Sequence, residues 1–570
     1  MSPDEKNQEQ TSSQQPLDNN IGSSSPTPQP QPLAGQTIAP SPSSNPPLSA
    51  PSGAPAPFKK SNTRYYLLAL IVVLVFAAVI WSATKLSDKN QPTSTLTKHS
   101  VALLRVASAE PLPTGFFPAS ANDAYSFEVN AQVFEGLTKF VNQTQVAPNL
   151  ATSWTNPNND TWVFQLKQGV KFHDGNTLTS KEVVDSLTQV KNAAVGSIVP
   201  YTIKTVTAQG PNTVQITTSQ PDPLLDRELT QFWIWDTSNT KNPNSADNGT
   251  GPFTLKPGTS ISTSLIQLDA YNNYQGGHPT VGAINFYTYG TGQQLVDGLK
   301  QNKIDLADLT TQAGFAPTAK NAGFSLLNIN DPLVYYIIPN TLKKGSPLQN
   351  LKVRQAIYMS IDPTLLAYAH NNDIGAPATQ LVPPSIPGYD PTIKRPPINI
   401  AAAKALLSEA GYPNGLTLGF TYYSPAQDKV ATELQKEMAT IGIKLNLDPQ
   451  TDGNALFSKI SSGNVDMYVV GDSSQILDTS DVAGALVIDT PEYSNAKVDS
   501  LYTQAQQTFD AKTRLQLLQQ LNTTVMNDLG VFPIDTPINQ YFAYRPGLVL
   551  QQQYLGGVSG LYYWQIYSNK

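Results

Sequence analysis

LTLGFTYYSPAQDKVATELQKEMATIGIKLNL, residues 416–447, decides the fold. Leu416, Leu418, Phe420 and Tyr422 alternate with smaller or polar residues, a period of two that predicts a strand with one apolar face. Val430, Leu434, Met438 and Ile441 then recur at helical spacing, and Gly442 stops the helix. Ile443, Leu445 and Leu447 alternate again. Strand, helix, strand with short connections is a βαβ unit. Its crossover returns the chain to the same end of the sheet, so the two strands run parallel and the fold class is α/β.

Working outward, Asn399 caps a helix whose buried face is Ala403, Leu406, Leu407 and Ala410, stopped by Gly411. Met467 to Val470 reads as a further strand, and helices follow near Ala496–Phe509 and Ala511–Asp528. The first half of the chain differs. Trp162 to Lys167 alternates as a half-buried strand, and Thr213 to Thr217 reads as another. Thr179-Ser180-Lys181-Glu182 is a capping box ahead of Val183, Val184, Leu187 and Val190 at helical spacing. No repeat with a period of 20–50 residues is visible. At least two lobes of mixed α and β structure are expected, since 570 residues exceed what one core serves.

Residues 1–58 are rich in Pro, Ser, Gln and Asn and poor in aromatic and β-branched residues, so they are expected to stay disordered. Tyr65–Ala83 (YYLLALIVVLVFAAVIWSA) carries no charge. At about 1.5 Å per residue it spans roughly 28 Å, the hydrocarbon thickness of a bilayer. Tyr65, Tyr66 and Trp81 mark its ends as interfacial anchors. Lys59, Lys60 and Arg64 before it outnumber Lys85 and Lys89 after it, which favours a cytoplasmic tail 1–64 and an extracytoplasmic remainder. Residues 84–99 read as a polar stalk.

The net charge of −6 with 14% charged residues gives no basic footprint for nucleic acid. The chain has no cysteine and only four histidines, His99, His173, His278 and His370, none near another. No metal site, cofactor or catalytic residue is predicted, and no enzyme activity. GxSxG and GxxxxGK[ST] are both missing. His173-Asp174-Gly175 lies between a strand and a capped helix and reads as a turn. Asp222 and Asp226 are an acid pair of the kind that 42 carboxylates produce by chance. The aromatics are more informative: 25 tyrosines and 6 tryptophans, dense at Phe232-Trp233-Ile234-Trp235-Asp236 and Tyr562-Tyr563-Trp564, suit a wet cleft that grips varied ligands.

From Leu104 on, a series of short motifs resembles family 5 of the bacterial extracellular solute-binding proteins, the dipeptide-, oligopeptide- and nickel-binding proteins of ABC importers. A strand leads to Glu110-Pro111. Val133-Phe134-Glu135-Gly136-Leu137 resembles "LFEGL", and Pro148 to Trp154 resembles "PxLAxSW". Phe164 to Gly175 resembles "FxLRxGVKFHDG", and Thr177 to Val184 resembles "PLTAEDVV". Gly249-Thr250-Gly251-Pro252-Phe253 resembles "GTGPY", Leu351 to Asp362 resembles "VRQAxxxAID", and Ala403 to Tyr412 resembles "AKxLLxEAGY". Their order covers nearly all of residues 100–570.

The resemblance implies a bilobal, periplasmic-binding-protein-like fold with an extra subdomain in the first lobe. It implies lobe I over 100–335, lobe II over 336–535 and a C-terminal return over 536–570, with crossings near Asn330–Pro339 and Phe532–Ala543. It implies a monomer that encloses a small solute, expected to be a short peptide, and delivers it to an ABC permease. Glu110, Trp233, Trp235, Gly251, Asp472, Ser473, Ser474 and Gln475 are the candidate ligand-binding residues. Two features depart from the family. The span at 65–83 replaces a lipidated cysteine. The family's Trp-x-x-Asp segment, whose aspartate pairs with a peptide's ammonium, is here Asp472-Ser473-Ser474-Gln475. Gln475 brings no charge, although Asp472 could substitute. A carrier of an oligosaccharide or metal chelate, or a surface sensor or adhesion protein, is the alternative.

Overall fold

The computed structural model describes residues 98–569, apart from residues 114, 117–123, 193–201, 239–246, 260, 330–331, 372–374, 489, 538–539 and 556–558. The expected tail, membrane span and all of the stalk before Lys98 lie outside the described residues. Among the described residues no helix is long and apolar enough to cross a membrane.

The βαβ reading sets the second lobe. Leu416–Tyr423 and Ile443–Gln450 pair in parallel, from Leu416 opposite Ile443 to Tyr423 opposite Gln450, across the helix Asp428–Ala439. The turn that starts the unit requires glycine. Gly415 has φ +82°, and a Cβ there would stand 1.9 Å from the Gly442 carbonyl oxygen. The sheet has six strands, in the order Gly375–Pro377, Phe532–Pro537, Leu333–Pro339, Met467–Ser473, Leu416–Tyr423, Ile443–Gln450. Leu418, Phe420, Ile443 and Leu445 bury against Val430, Leu434 and Met438 of the helix, the residues that the periodicity assigns to the core.

The first lobe carries a seven-stranded sheet in the order Ser325–Ile329, Gln540–Tyr544, Leu306–Asp308, Leu104–Ser108, Ala283–Thr288, Leu265–Ala270, Phe253–Leu255. Its central strand, Leu104–Ser108, runs parallel to both neighbours. A four-stranded antiparallel sheet forms the subdomain: Ala151–Asn158, Thr161–Leu166, Thr213–Thr218 and Ile203–Ala208. Trp162, Phe164 and Leu166 alternate into its core. The helix Ser180–Asn192 begins at the capping box, where Glu182 Oε2 accepts from the Thr179 N–H at 2.9 Å and its hydroxyl at 2.6 Å.

The chain leaves the first sheet after Ile329 and enters the second at Leu333; it leaves the second after Pro537 and re-enters the first at Gln540. The boundaries drawn at 335 and 535 therefore fall inside strands and need correction. Pairing with Met467–Ser473 holds Leu333 to Pro339 in the second lobe as one unit, from Leu333 opposite Ser473 to Pro339 opposite Met467. The helix expected to reach Phe509 ends at Gln507. Phe509 instead crosses to the first lobe, its ring 6.2 Å from that of Trp162.

Candidate functional site

The first lobe holds a cavity of about 280 Å³. Phe127, Phe134 and Trp233 form one wall, with ring centroids of Trp233 5.0 Å from Phe127 and 6.2 Å from Phe134. The C-terminal segment supplies another through Tyr554, Tyr562 and Trp564. Polar groups such as Gln132, Lys139, Asn149 and Gln231 share the lining with these rings, so the site offers hydrogen bonds as well as apolar area. Glu135 lines the cavity but is spent internally: it accepts from Thr250 Oγ1 at 2.9 Å, Tyr274 Oη at 3.0 Å and Gln275 Nε2 at 3.0 Å. Burial raises its carboxyl, against the pull of those bonds.

Gln231, Thr230, Phe140 and Val141 carry this cavity to a seam between the lobes. Gln231 Nε2 donates to the Gln475 carbonyl. Arg227 Nη1 donates to the carbonyls of Ile476 at 3.2 Å and Leu477 at 3.0 Å, while its Nη2 holds Thr144 O at 2.7 Å in its own lobe. Phe140 is buried within the core cluster of the second lobe. The lobe II side of the seam is the loop after strand Met467–Ser473. That loop closes on itself: Ser474 Oγ accepts from the Asp478 N–H at 2.7 Å and donates to the Asp478 carbonyl at 2.9 Å. Asp478 is fixed by Arg514, whose Nη2 reaches it at 3.0 Å and Ser480 Oγ at 3.1 Å. Against the penalty of burial, Arg514 holds the Asp478 carboxyl below its usual range.

Asp472 ends up opposite Val334 on the crossing strand. Burial, with Asp481 nearby, pushes its carboxyl up to about 7. Burial likewise pushes Asp481 up to about 6, although it accepts from the backbone N–H groups of Gln475 and Ile476. Two carboxyls that burial raises above their ordinary range would be relieved by a cationic group at the seam.

The expected ligand residues separate in space. Trp233 lines the cavity, and Gln475 touches Gln231 at its edge. Asp472 and Ser473 end their strand beside that loop; the Ser473 carbonyl accepts from Gln475 Nε2 at 3.2 Å. Ser474 is fully buried as the clasp of the loop. Trp235 is fully buried in the first-lobe core, its backbone bonded both ways to Ser186 Oγ at 3.2 Å. Gly251 is a packing residue: a Cβ there would lie 2.7 Å from the Gln132 carbonyl, and its own carbonyl bonds His173 Nε2 at 2.9 Å. Glu110 lies just past the central strand Leu104–Ser108, at the carboxyl ends of parallel strands where open sheets place ligands. His173-Asp174-Gly175 forms the expected turn, with Gly175 at φ +92°.

Gln231 and Arg227 carry no signal in the sequence, because no spacing marks a lone residue that meets its partner 244 or more positions away, and no local motif marks Phe127 or Asp481. Tyr562 and Trp564 belong to the aromatic cluster at the C-terminus, which was the available signal. Among the described residues no group of three or more His, Asp or Glu is placed to hold a metal ion.

Comparison with known proteins accounts for this arrangement. The family model described as bacterial extracellular solute-binding proteins, family 5 middle, matches residues 145–494. A dipeptide-binding protein of Escherichia coli is 25% identical over 386 residues, 60% of this chain and 71% of that protein. Heme-binding protein A of Haemophilus influenzae is 26% identical over 520 residues, 82% of this chain and 93% of that protein. The periplasmic binding protein DppA of Helicobacter pylori, solved with the peptide STSA, has the same fold with a TM-score of 0.67 at 20% identity, over 83% of this chain and 99% of that one. The two-lobed architecture is thus the α/β periplasmic-binding-protein fold, and the chain belongs to family 5 of the bacterial extracellular solute-binding proteins.

Proposed function

We propose that this chain captures short peptides outside the cytoplasm and delivers them to an ABC importer, held at the membrane by the segment 65–83. One observation carries the reading: an aromatic-walled cavity runs to a seam where Gln231 and Arg227 of the first lobe bond the loop at 475–477 of the second. A solute in that cavity stabilises the lobes in contact, and a permease that engages only joined lobes reads occupancy. Trp233, Tyr562 and Trp564 grip side chains by area rather than identity, as a carrier of varied peptides needs. Asp472 and Asp481 supply the negative charge for an ammonium that Gln475 lacks. Relatives named for dipeptides support the peptide reading.

Gln475 favours a second reading, a non-peptide solute, since no formal charge stands at that position; a relative named for heme belongs to the same family. Native mass spectrometry of the full chain, purified in detergent from cells grown in peptide-rich medium, separates the two. Released short peptides support the first. A released porphyrin, sugar or metal complex moves the ligand to the second, and a persistently empty protein overturns both.

A further inference from the structure

We infer that the lobes of this protein join with uptake of a proton on Glu228, so that acid favours the joined state. The short helix Leu225–Glu228 and the turn after it place two buried acceptor atoms at the seam, Glu228 Oε2 and Gln231 Oε1. Neither has a hydrogen-bond partner among the described residues. They are one turn apart, since the Gln231 N–H donates to the Glu228 carbonyl at 3.0 Å, and Gln231 is only 5% exposed. Gln231 cannot solve the shortage itself, because its Nε2 is committed across the seam to Gln475. A buried acceptor left without a donor is costly, and two together call for one.

The nearby cations are committed elsewhere. Arg227 bonds three carbonyls, and Arg514 is engaged with Asp478. What faces Glu228 is negative on every side: Asp226 of its own helix, Asp222 of the preceding loop, and Asp481 from the lobe II helix Thr479–Leu486. Asp222 accepts from Thr202 Oγ1 at 2.5 Å and the Leu224 N–H at 2.9 Å, so its oxygens already have donors, although burial raises its carboxyl as well. Asp478 bears on Asp481, and Asp481 in turn raises Asp472. Burial, then Asp222, Asp481 and Asp226, raise the Glu228 carboxyl well above its ordinary range. A proton on Oε2 removes one charge from the cluster and provides the missing donor. When the lobes part, Asp481 moves away and water reaches Glu228, so the proton is released.

The sign follows from linkage. The joined state binds the proton more tightly than the parted state, so its population grows as pH falls. One proton gives a limiting tenfold change in the joined-to-parted ratio per pH unit. The effect lies in the range above the ordinary carboxylate value of 4.5.

Single-molecule energy transfer on the full chain reads the ratio directly. The chain has no cysteine, so dyes on Lys320→Cys in the first lobe and Lys497→Cys in the second report lobe separation without background. No ligand is required, so the outcome is independent of the peptide reading. The joined population should rise up to tenfold per unit as pH falls from about 8 to about 5. Glu228→Gln carries a permanent donor and should stay joined with a shallower profile, the remaining slope coming from Asp472 and Asp481. Asp481→Asn, should Glu228→Gln fold poorly, is expected to move the transition to lower pH. A flat wild-type profile, a Glu228→Gln profile that keeps the full slope, or an unmoved Asp481→Asn midpoint each overturns the inference.

Discussion

Replacing Asp472 with asparagine tests the electrostatics of the seam most directly. The folded protein holds this carboxyl at about 7 rather than its ordinary 3.8, because burial and Asp481 disfavour the anion. An acid raised in this way favours folding while protonated. Its contribution is intact below about pH 4, falls as pH climbs between 3.8 and about 7, and is flat above that interval. At 1.36 kcal/mol per pH unit the full loss is about 4 kcal/mol. The side chain is half-buried, so water trims this, and about 2 kcal/mol is the expected size. Asp472→Asn keeps the shape and has no charge to bury. Urea unfolding, followed by tryptophan fluorescence, should show the variant about 2 kcal/mol more stable than the wild type at pH 8 and equal to it near pH 4. Binding should move the other way: the variant loses affinity for peptides with a free amine and keeps it for acetylated ones. Equal stabilities at pH 8, or a variant weaker at both pH values, would refute the argument that the anion is strained.

Three other outcomes follow from single contacts. Arg514→Met leaves Asp478 buried without its partner and should cost about 3–5 kcal/mol in the same denaturation assay, far more than Asp478→Asn with Arg514→Met together. Arg227→Ala removes two bonds across the seam and should speed ligand release by about tenfold in stopped-flow fluorescence, with little change in association. Gly415→Ala forces a side chain into a left-handed turn against the Gly442 carbonyl and should lower the melting temperature of the second lobe, corresponding to more than about 1 kcal/mol; an unchanged melting temperature would mean that the turn relaxes freely.

Local pattern carries a long way in this chain. The alternation at 416–422 and 443–447, the helical spacing at 430–441 and the caps at Asn399 and Thr179 are short-range facts. Each appears at its place: the strands Leu416–Tyr423 and Ile443–Gln450, the helix Asp428–Ala439 between them, Asn399 Oδ1 accepting from the Ala402 N–H at 2.9 Å. Hydrophobic period and capping act within a few residues, so the sequence shows them directly. The ordered motifs resembling family 5 extended this to nearly all of residues 100–570 and pointed to the family whose model matches residues 145–494.

What the sequence alone determined is therefore the fold class, the run of elements and the family. What only the tertiary structure decided is the site. Trp233 and Trp235 stand two residues apart, yet one lines the cavity and the other lies in the core. Ser474 and Gln475 are neighbours, yet one clasps its loop while the other meets Gln231 of the opposite lobe. Glu228 is an ordinary acid on a short helix until burial, then Asp222 and the second lobe's Asp481, raise its carboxyl. The physical reason is common to all three. Burial and electrostatic energy depend on what lies within a few ångströms through space, and the deciding neighbours range from Asp478, four residues from Ser474, to Gln231, 244 positions from Gln475.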